Sequence, residues 1–229
     1  MRHPRPLATL PALLLLAVAS AAPALADRER LVRDESKAFP LEGARVLRLD
    51  VGVGEVHVDA TAGDRVEARL QLRCEHDSGR CRDRAARLAL TATRGAGDEL
   101  RLELGDEDHP HRNRHGMHYP EVELRLLVPA TMDVAIDLGV GELELNGIEG
   151  DVTADLGVGE VSVEVPESAV RSVGIDVGIG EAQLSPRQYE MHHSGFLFLG
   201  NEVDWRDGEG RSRINVDIGV GEAHVRLVP

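Results

Sequence analysis

The chain has 229 residues, of which 3% are aromatic, and carries 26 Lys and Arg residues against 40 Asp and Glu residues, a formal net charge of −14. This acidic balance argues against nucleic acid and anionic membrane surfaces as partners, and it favours cations, basic proteins or simple solubility. Beyond the first 26 residues no segment has 18 consecutive apolar residues, so we expect no membrane span in the mature chain.

The first 26 residues have the features of an export signal. Arg2 and Arg5 precede an apolar run from Leu10 to Ala19, and an A-x-A cleavage motif ends at Ala26. The apolar run is too short to cross a bilayer. We therefore expect residues 1–26 to be removed and the mature protein to be exported to the periplasm or the cell surface.

Residues 27–39 form a charged leader that suits a short helix or a loose segment, and a single domain is predicted over 40–229. Apolar and polar residues alternate in several stretches of this domain. Such alternation predicts strands with one buried face. The clearest examples are 64–73, 98–104 and 120–128.

Two cysteines, Cys74 and Cys81, are the only ones in the chain. In an exported protein they are expected to form a disulfide, which would close a loop of about 8 residues and contribute roughly 2.5 kcal/mol. A redox or metal role is the alternative, although the spacing is not C-x-x-C. Residues 83–93, which follow, fit a strand or a short helix, and their apolar spacing favours a strand.

Two inserts, 105–120 and 186–212, interrupt the strand pattern. The first places histidines beside carboxylates, a combination that can bind Zn²⁺ or Cu²⁺. Its spacing matches no standard site and arginines intervene, so a solvated loop is the alternative. The histidines are His109, His111, His115 and His118.

The second insert holds four of the six aromatic residues of the chain. Phe196, Phe198 and Trp205 could cap the open end of a repeat stack, which otherwise exposes unpaired backbone and apolar side chains. The alternative is an exposed interaction patch.

Five copies of one phrase dominate the sequence. A period near 20 with strand-forming residues and glycine is typical of one turn of a β-solenoid. We therefore predict an all-β, single-domain β-solenoid with roughly 18–21 residues per turn. The copies are LDVGVGEVHV at 49–58, IDLGVGELEL at 136–145, ADLGVGEVSV at 154–163, IDVGIGEAQL at 175–184 and VDIGVGEAHV at 216–225.

Each copy contains a slip in its alternation. Ile136, Leu138 and Val140 share one face, which we expect to be inside, and the apolar positions resume after an odd step at Leu143 and Leu145. A slip of this kind predicts a bend, and glycine accepts the backbone angles that a bend needs. The acidic residues should then lie outside.

Stacked turns about 4.8 Å apart would align these acids in one Asp column and one Glu column. We expect the copies at Asp137, Asp155 and Asp176 to be adjacent, with the copy at Asp217 near them. The columns could be a solvated edge that blocks aggregation or a weak cation ladder. Alternatively, they could border a strip of glycines, whose missing side chains would let the backbone of a partner approach closely. The ladder would comprise Asp137, Glu142, Asp155, Glu160, Asp176, Glu181, Asp217 and Glu222.

Motifs of catalysis are absent from the sequence. G-x-S-x-G and H-E-x-x-H do not occur, and the repeated Gly-x-Gly lacks the third glycine and the helix of a dinucleotide site. We therefore expect neither an enzyme nor a cofactor.

Three phrases join a strand, a turn glycine and an acidic residue: FPLEGARVLRLDVGVGEVHVDATAGDRVEARL, VELRLLVPATMDVAIDLGVGELEL and INVDIGVGEAHVRLV. Over about 40–229 they make the chain resemble the exported bacterial putative-adhesin family, the toastrack domain, whose function is unknown. Where that family often has Ser or Thr before the turn glycine, this chain has Val or Ile. The resemblance implies a right-handed β-solenoid on the envelope side of the cell, without catalytic residues.

The sequence thus predicts an exported, non-catalytic, envelope-associated binding or structural protein. Its partner would be an envelope protein or surface ligand, with self-association open. The alternative is a cation-binding envelope protein that uses the acidic columns or the histidine loop.

Overall fold

A computed structural model describes residues 30–74, 79–95, 97–106, 119–186, 191–193, 199–206 and 208–229. In these ranges twelve strands join into one sheet, with one short helix, α1 (Gly79–Arg87), and a 3₁₀ turn at Glu167–Ala169. The all-β prediction is confirmed. The strands are β1 Arg30–Pro40, β2 Val46–Thr61, β3 Arg65–Cys74, β4 Leu88–Arg94, β5 Glu99–Asp106, β6 Glu121–Pro129, β7 Asp133–Asn146, β8 Val152–Pro166, β9 Val170–Ser185, β10 Met191–His193, β11 Leu199–Trp205 and β12 Ser212–Val228.

The five repeats lie in the long parallel strands β2, β7, β8, β12 and β9, which neighbour one another in that order. Equivalent residues are paired throughout, so that Asp50 faces Asp137 and Asp217 faces both Asp155 and Asp176. The expectation that the copies at Asp155 and Asp176 are adjacent is wrong, because β12 lies between them. The five copies carry nearly the same phrase, so the sequence pattern does not specify their order.

The long strands fold back on themselves. Strand β7 has 14 residues and would be about 46 Å long if straight. Residues 147–151 span no more than about 20 Å, yet β8 starts beside the start of β7, with Val152 paired to Val134. The return is fixed by hydrogen bonds, since Val134 N donates to Asp151 O at 2.8 Å and Asp151 N donates to Asp133 Oδ1 at 2.8 Å.

The bend falls at the second glycine of each copy. Gly141 has a φ of +145°, and its four equivalents lie between +140° and +152°, a region that other residues rarely adopt. Side chains on both sides of the bend point inward: Ile136 and Leu138 precede it, Leu143 and Leu145 follow it, and all four are buried. The predicted slip in the alternation is therefore present.

Val140 does not follow this prediction. It was expected inside, but 39% of it is exposed. The alternation of buried and exposed residues holds through Leu138 and breaks at Val140, so the side chain between the two glycines of the bend faces outward.

In the four copies after the first, the absent side chain of each repeat glycine faces the backbone of a neighbouring strand. A Cβ at Gly141 would lie 1.8 Å from the carbonyl oxygen of Gly54, and one at Gly159 would lie 1.8 Å from that of Gly141. In the copies after the first, the first glycine is also confined, at 2.4 Å for Gly139 against Gly52 O and 2.7 Å for Gly178 against Gly219 O. The glycines therefore permit close stacking of the strands, and the backbone that approaches them is the chain's own.

At one end of the stack, the two halves of β2 have different neighbours. Its first half pairs with β5, which pairs with β4, and its second half pairs with β6, followed by β3 and β1. The leader expected at 27–39 is therefore largely the edge strand β1, held antiparallel to β3. The strand expected at 83–93 begins only at Leu88, because α1 occupies the residues before it.

At the other end, β10 and β11 pair antiparallel with β9. Among the described residues, no helix is both long enough and apolar enough to cross a membrane.

Candidate functional site

The surface at the bend is the most regular feature of the molecule, and we call it the repeat corner. It consists of the six residues from Asp to Glu in each copy. In stack order the segments are Asp50–Glu55, Asp137–Glu142, Asp155–Glu160, Asp217–Glu222 and Asp176–Glu181. Because neighbouring parallel strands lie about 4.8 Å apart, each position of the segment forms a column about 19 Å long.

The middle column is aliphatic and exposed. Its residues follow one another in register, and each has between 39% and 49% of its surface in contact with solvent. Five of the eight large apolar residues that are exposed in the described part of the chain belong to this column. They are Val53, Val140, Val158, Val220 and Ile179.

Carboxylates flank the aliphatic column on both sides, with the Asp column three residues before it and the Glu column two residues after it. Desolvation raises the pKa of Asp155, and the carboxylates of Asp217 and Asp137 add to the effect. Desolvation also raises the pKa of Asp50, assisted by Asp137 and Glu103. Within the described ranges, no Lys or Arg forms an ion pair with any carboxylate of the two columns.

The eight residues predicted as a cation ladder are thus aligned by the register of the strands. The structure adds Asp50 and Glu55 at one end of the columns, which the sequence analysis omitted although they belong to the first copy. In the part of the chain that the structure describes, no group of three or more His, Cys, Asp or Glu side chains is arranged to hold a metal ion.

The other predicted site residues lie away from the repeat corner. Cys74 and Cys81 form a disulfide between β3 and the start of α1, with a Cα–Cα distance of 6.2 Å, and both are buried. Trp205 is 6% exposed and belongs to the core. Phe196 and Phe198 lie outside the described residues, as do residues 1–26 and the histidines His109, His111, His115 and His118.

A charged network on the outer face of β3 and β6 was missed by the sequence analysis. Glu123 is only 8% exposed and accepts hydrogen bonds from Arg125 at 2.7 Å and Arg73 at 2.6 Å, which lower its pKa. On β1, hydrogen bonds from Arg69 and Gln71 lower the pKa of Asp34 to about 2. The alternation of Arg and Glu along these strands could have predicted the network from the sequence. The network stabilises the outer face of the sheet.

Comparison with known proteins adds evidence on the fold. No family model matches the chain, and no curated protein matches it. The crystal structure of a putative cell adhesion protein from Clostridium sporogenes superposes with a TM-score of 0.53 at 15% identity, covering 87% of this chain and 100% of the other. The two chains share a fold. The resemblance to putative adhesins is therefore confirmed at the level of the fold.

A second structure, of a putative adhesin from Bacteroides fragilis, aligns over 86% of this chain and 97% of its own. Its identity is 6% and its TM-score is 0.35, too low to carry an argument about the fold.

Proposed function

We propose that this chain is an exported, non-catalytic binding protein of the cell envelope, periplasmic or on the cell surface, that contacts its partner through the repeat corner. The observation that carries the proposal is the in-register repetition of one exposed segment over five strands. A catalytic site brings different groups together at one point. A column of identical side chains instead offers a linear surface, which suits binding.

Export is supported by three independent features: the signal-like first 26 residues, the disulfide between Cys74 and Cys81, and the fold shared with a putative cell adhesion protein. Disulfides persist in oxidising compartments, and the signal motif directs a chain out of the cytoplasm.

As the finer description of the fold we propose a β-solenoid of the toastrack type, with each long strand and its return loop forming one turn. The support is the short connection at 147–151, which requires β7 to curve back to its own start. The family resemblance implies the right-handed sense. The placement of β12 between β8 and β9 would make the last turn insert between two earlier ones.

A cation-binding function has weaker support. Burial and mutual repulsion raise the pKa of Asp50 and Asp155, which are effects that a resident divalent cation would reverse. The ladder stays a prediction, and thermal melts with excess Ca²⁺ and with chelator test it. A bound cation would raise the melting temperature by mass action.

The test of the binding function is a pull-down from envelope extract with the mature protein. The corner variant carries Val140→Thr, Val158→Thr and Val220→Thr, which keep the β-branched shape while adding hydroxyls. The control is Leu127→Thr, an exposed apolar residue on β6 outside the repeat corner. We expect a partner that the wild type and the control retain and the corner variant loses. Equal retention by all three proteins would contradict the proposal.

A further inference from the structure

We propose that the partner of the repeat corner is a basic amphipathic protein segment, whose apolar stripe covers the aliphatic column and whose Lys and Arg residues pair with the flanking carboxylates. This inference rests on the proposed function and names the chemistry of its ligand.

The fold does not require aliphatic residues in the middle column. In the four copies after the first, the two glycines are fixed by carbonyl oxygens of the neighbouring strand, whereas the side chain between them points to solvent. Val140 and Val158, for example, are 39% and 47% exposed. Cross-strand contact between β-branched residues contributes roughly 0.2–1 kcal/mol per pair, and Thr would supply much of it. Exposed Val or Ile at all five positions is therefore unusual for a surface that meets only water.

Charge then decides which surface can cover the column. Ten carboxylates flank five aliphatic side chains, and within the described ranges no Lys or Arg pairs with them, while His224 Nε2 lies 3.4 Å from Glu222 Oε2. A second copy of the same surface would place carboxylates against carboxylates, and an anionic lipid surface would be repelled in the same way. A bare metal ion would leave the aliphatic side chains uncovered. A segment with both apolar and basic residues can cover the aliphatic column and pair with the flanking carboxylates at the same time.

The dimensions suit a helical segment. The column extends about 19 Å over four strand-to-strand steps of about 4.8 Å. An α-helix rises about 5.4 Å per turn, so three to four turns, or about 13 residues, match this length. A helix with one apolar stripe has side chains on both flanks of that stripe, where Lys or Arg would reach the Asp column on one side and the Glu column on the other.

The test uses a synthetic 14-residue helical peptide with a Leu stripe flanked by Lys, and a scrambled peptide of the same composition without a stripe. Binding to the mature protein is measured by calorimetry at 50 and 150 mM salt. We expect the striped peptide to bind at least ten-fold more tightly than the scrambled one, with affinity falling as salt rises. The affinity of the corner variant for the striped peptide should be at least ten-fold lower than that of the wild type. Leu127→Thr should bind the peptide as the wild type does.

A second variant, Asp137→Asn, Asp155→Asn and Asp217→Asn, should bind more weakly and with less dependence on salt. The proposal is overturned if the scrambled peptide binds as tightly as the striped one, if the corner variant binds normally, or if neither peptide binds. If the corner variant still loses its partner in the envelope pull-down while neither peptide binds, the binding function stands and the chemistry proposed for the partner is wrong.

Discussion

Single glycines determine how closely the strands of this protein stack. At Gly141, both the positive φ and the carbonyl oxygen of Gly54 exclude a side chain, whereas at Gly43 the φ is +90° but nothing lies within 4 Å of the missing Cβ. Substitutions at Gly43 and Gly141 therefore distinguish two free-energy costs of adding a side chain: backbone strain, which applies at both positions, and steric clash, which applies only at Gly141. Strain alone amounts to roughly 1–3 kcal/mol, and forcing apart a packed backbone adds roughly as much again.

We predict that Gly141→Ala lowers the free energy of unfolding by about 3 kcal/mol or more, because both costs apply at that position. Gly43→Ala should lower it by about 1 kcal/mol, because only strain applies. Urea unfolding followed by circular dichroism measures both. Equal effects of the two substitutions would show that the strands are not stacked closely at the glycines.

At the scale of strands, the in-register pairing of the repeats places Asp residues of neighbouring strands side by side, where their carboxylates repel one another. Asp155 lies between Asp137 and Asp217 in the sheet, and desolvation with these two charges raises its pKa. The folded protein therefore holds a proton at Asp155 more tightly than the unfolded chain does. The ionised carboxylate of Asp155 therefore lowers the free energy of unfolding by its full amount at pH values above its raised pKa. This loss disappears as the pH falls below 3.8, the pKa of Asp in the unfolded chain.

We predict that Asp155→Asn raises the unfolding free energy at pH 7 by about 0.5–1 kcal/mol, since one charge pair at this spacing repels by about 0.9 kcal/mol in water before salt screening. The advantage should shrink as the pH falls towards 3. Glu149→Gln, an exposed loop residue outside the columns, is the control for loss of one negative charge and should change little. Melting curves of the three proteins at pH 7 and pH 3 provide the measurement, and a destabilised Asp155→Asn would refute the repulsion.

The same scale shows what the sequence could and could not predict. The strands, the bend and the outward carboxylates follow from local alternation, which a single copy contains. The order of the strands does not, because pairing energies between near-identical copies cannot distinguish Asp176 from Asp217 as the neighbour of Asp155. The exposure of Val140 was missed for a different reason, since hydrophobicity alone places a valine inside and only the backbone turn at Gly139 to Gly141 places it outside.

For the molecule as a whole, the two ends of the stack determine whether a repeat protein stays soluble and folded. One end is covered by β5 and β4 and by β6, β3 and β1. At the other end β11 pairs with β9, and buried Asn201 donates a hydrogen bond to Gly180 O while Trp205 packs into the core. These contacts favour the insert 186–212 as a cap, with Phe196 and Phe198 as predicted members.

We predict that Trp205→Ala lowers the free energy of unfolding by about 3–5 kcal/mol, as expected for a buried aromatic residue, and exposes β9 first. Hydrogen exchange should show loss of protection in Val170–Ser185 before any loss in Asp133–Asn146, because only the former strand depends on β11 for its edge. Tyr119→Ala, at an aromatic residue that is 38% exposed, is the control and should leave β9 protected. A Trp205→Ala protein with normal protection of β9 but altered self-association on gel filtration would instead identify the insert as an interaction patch.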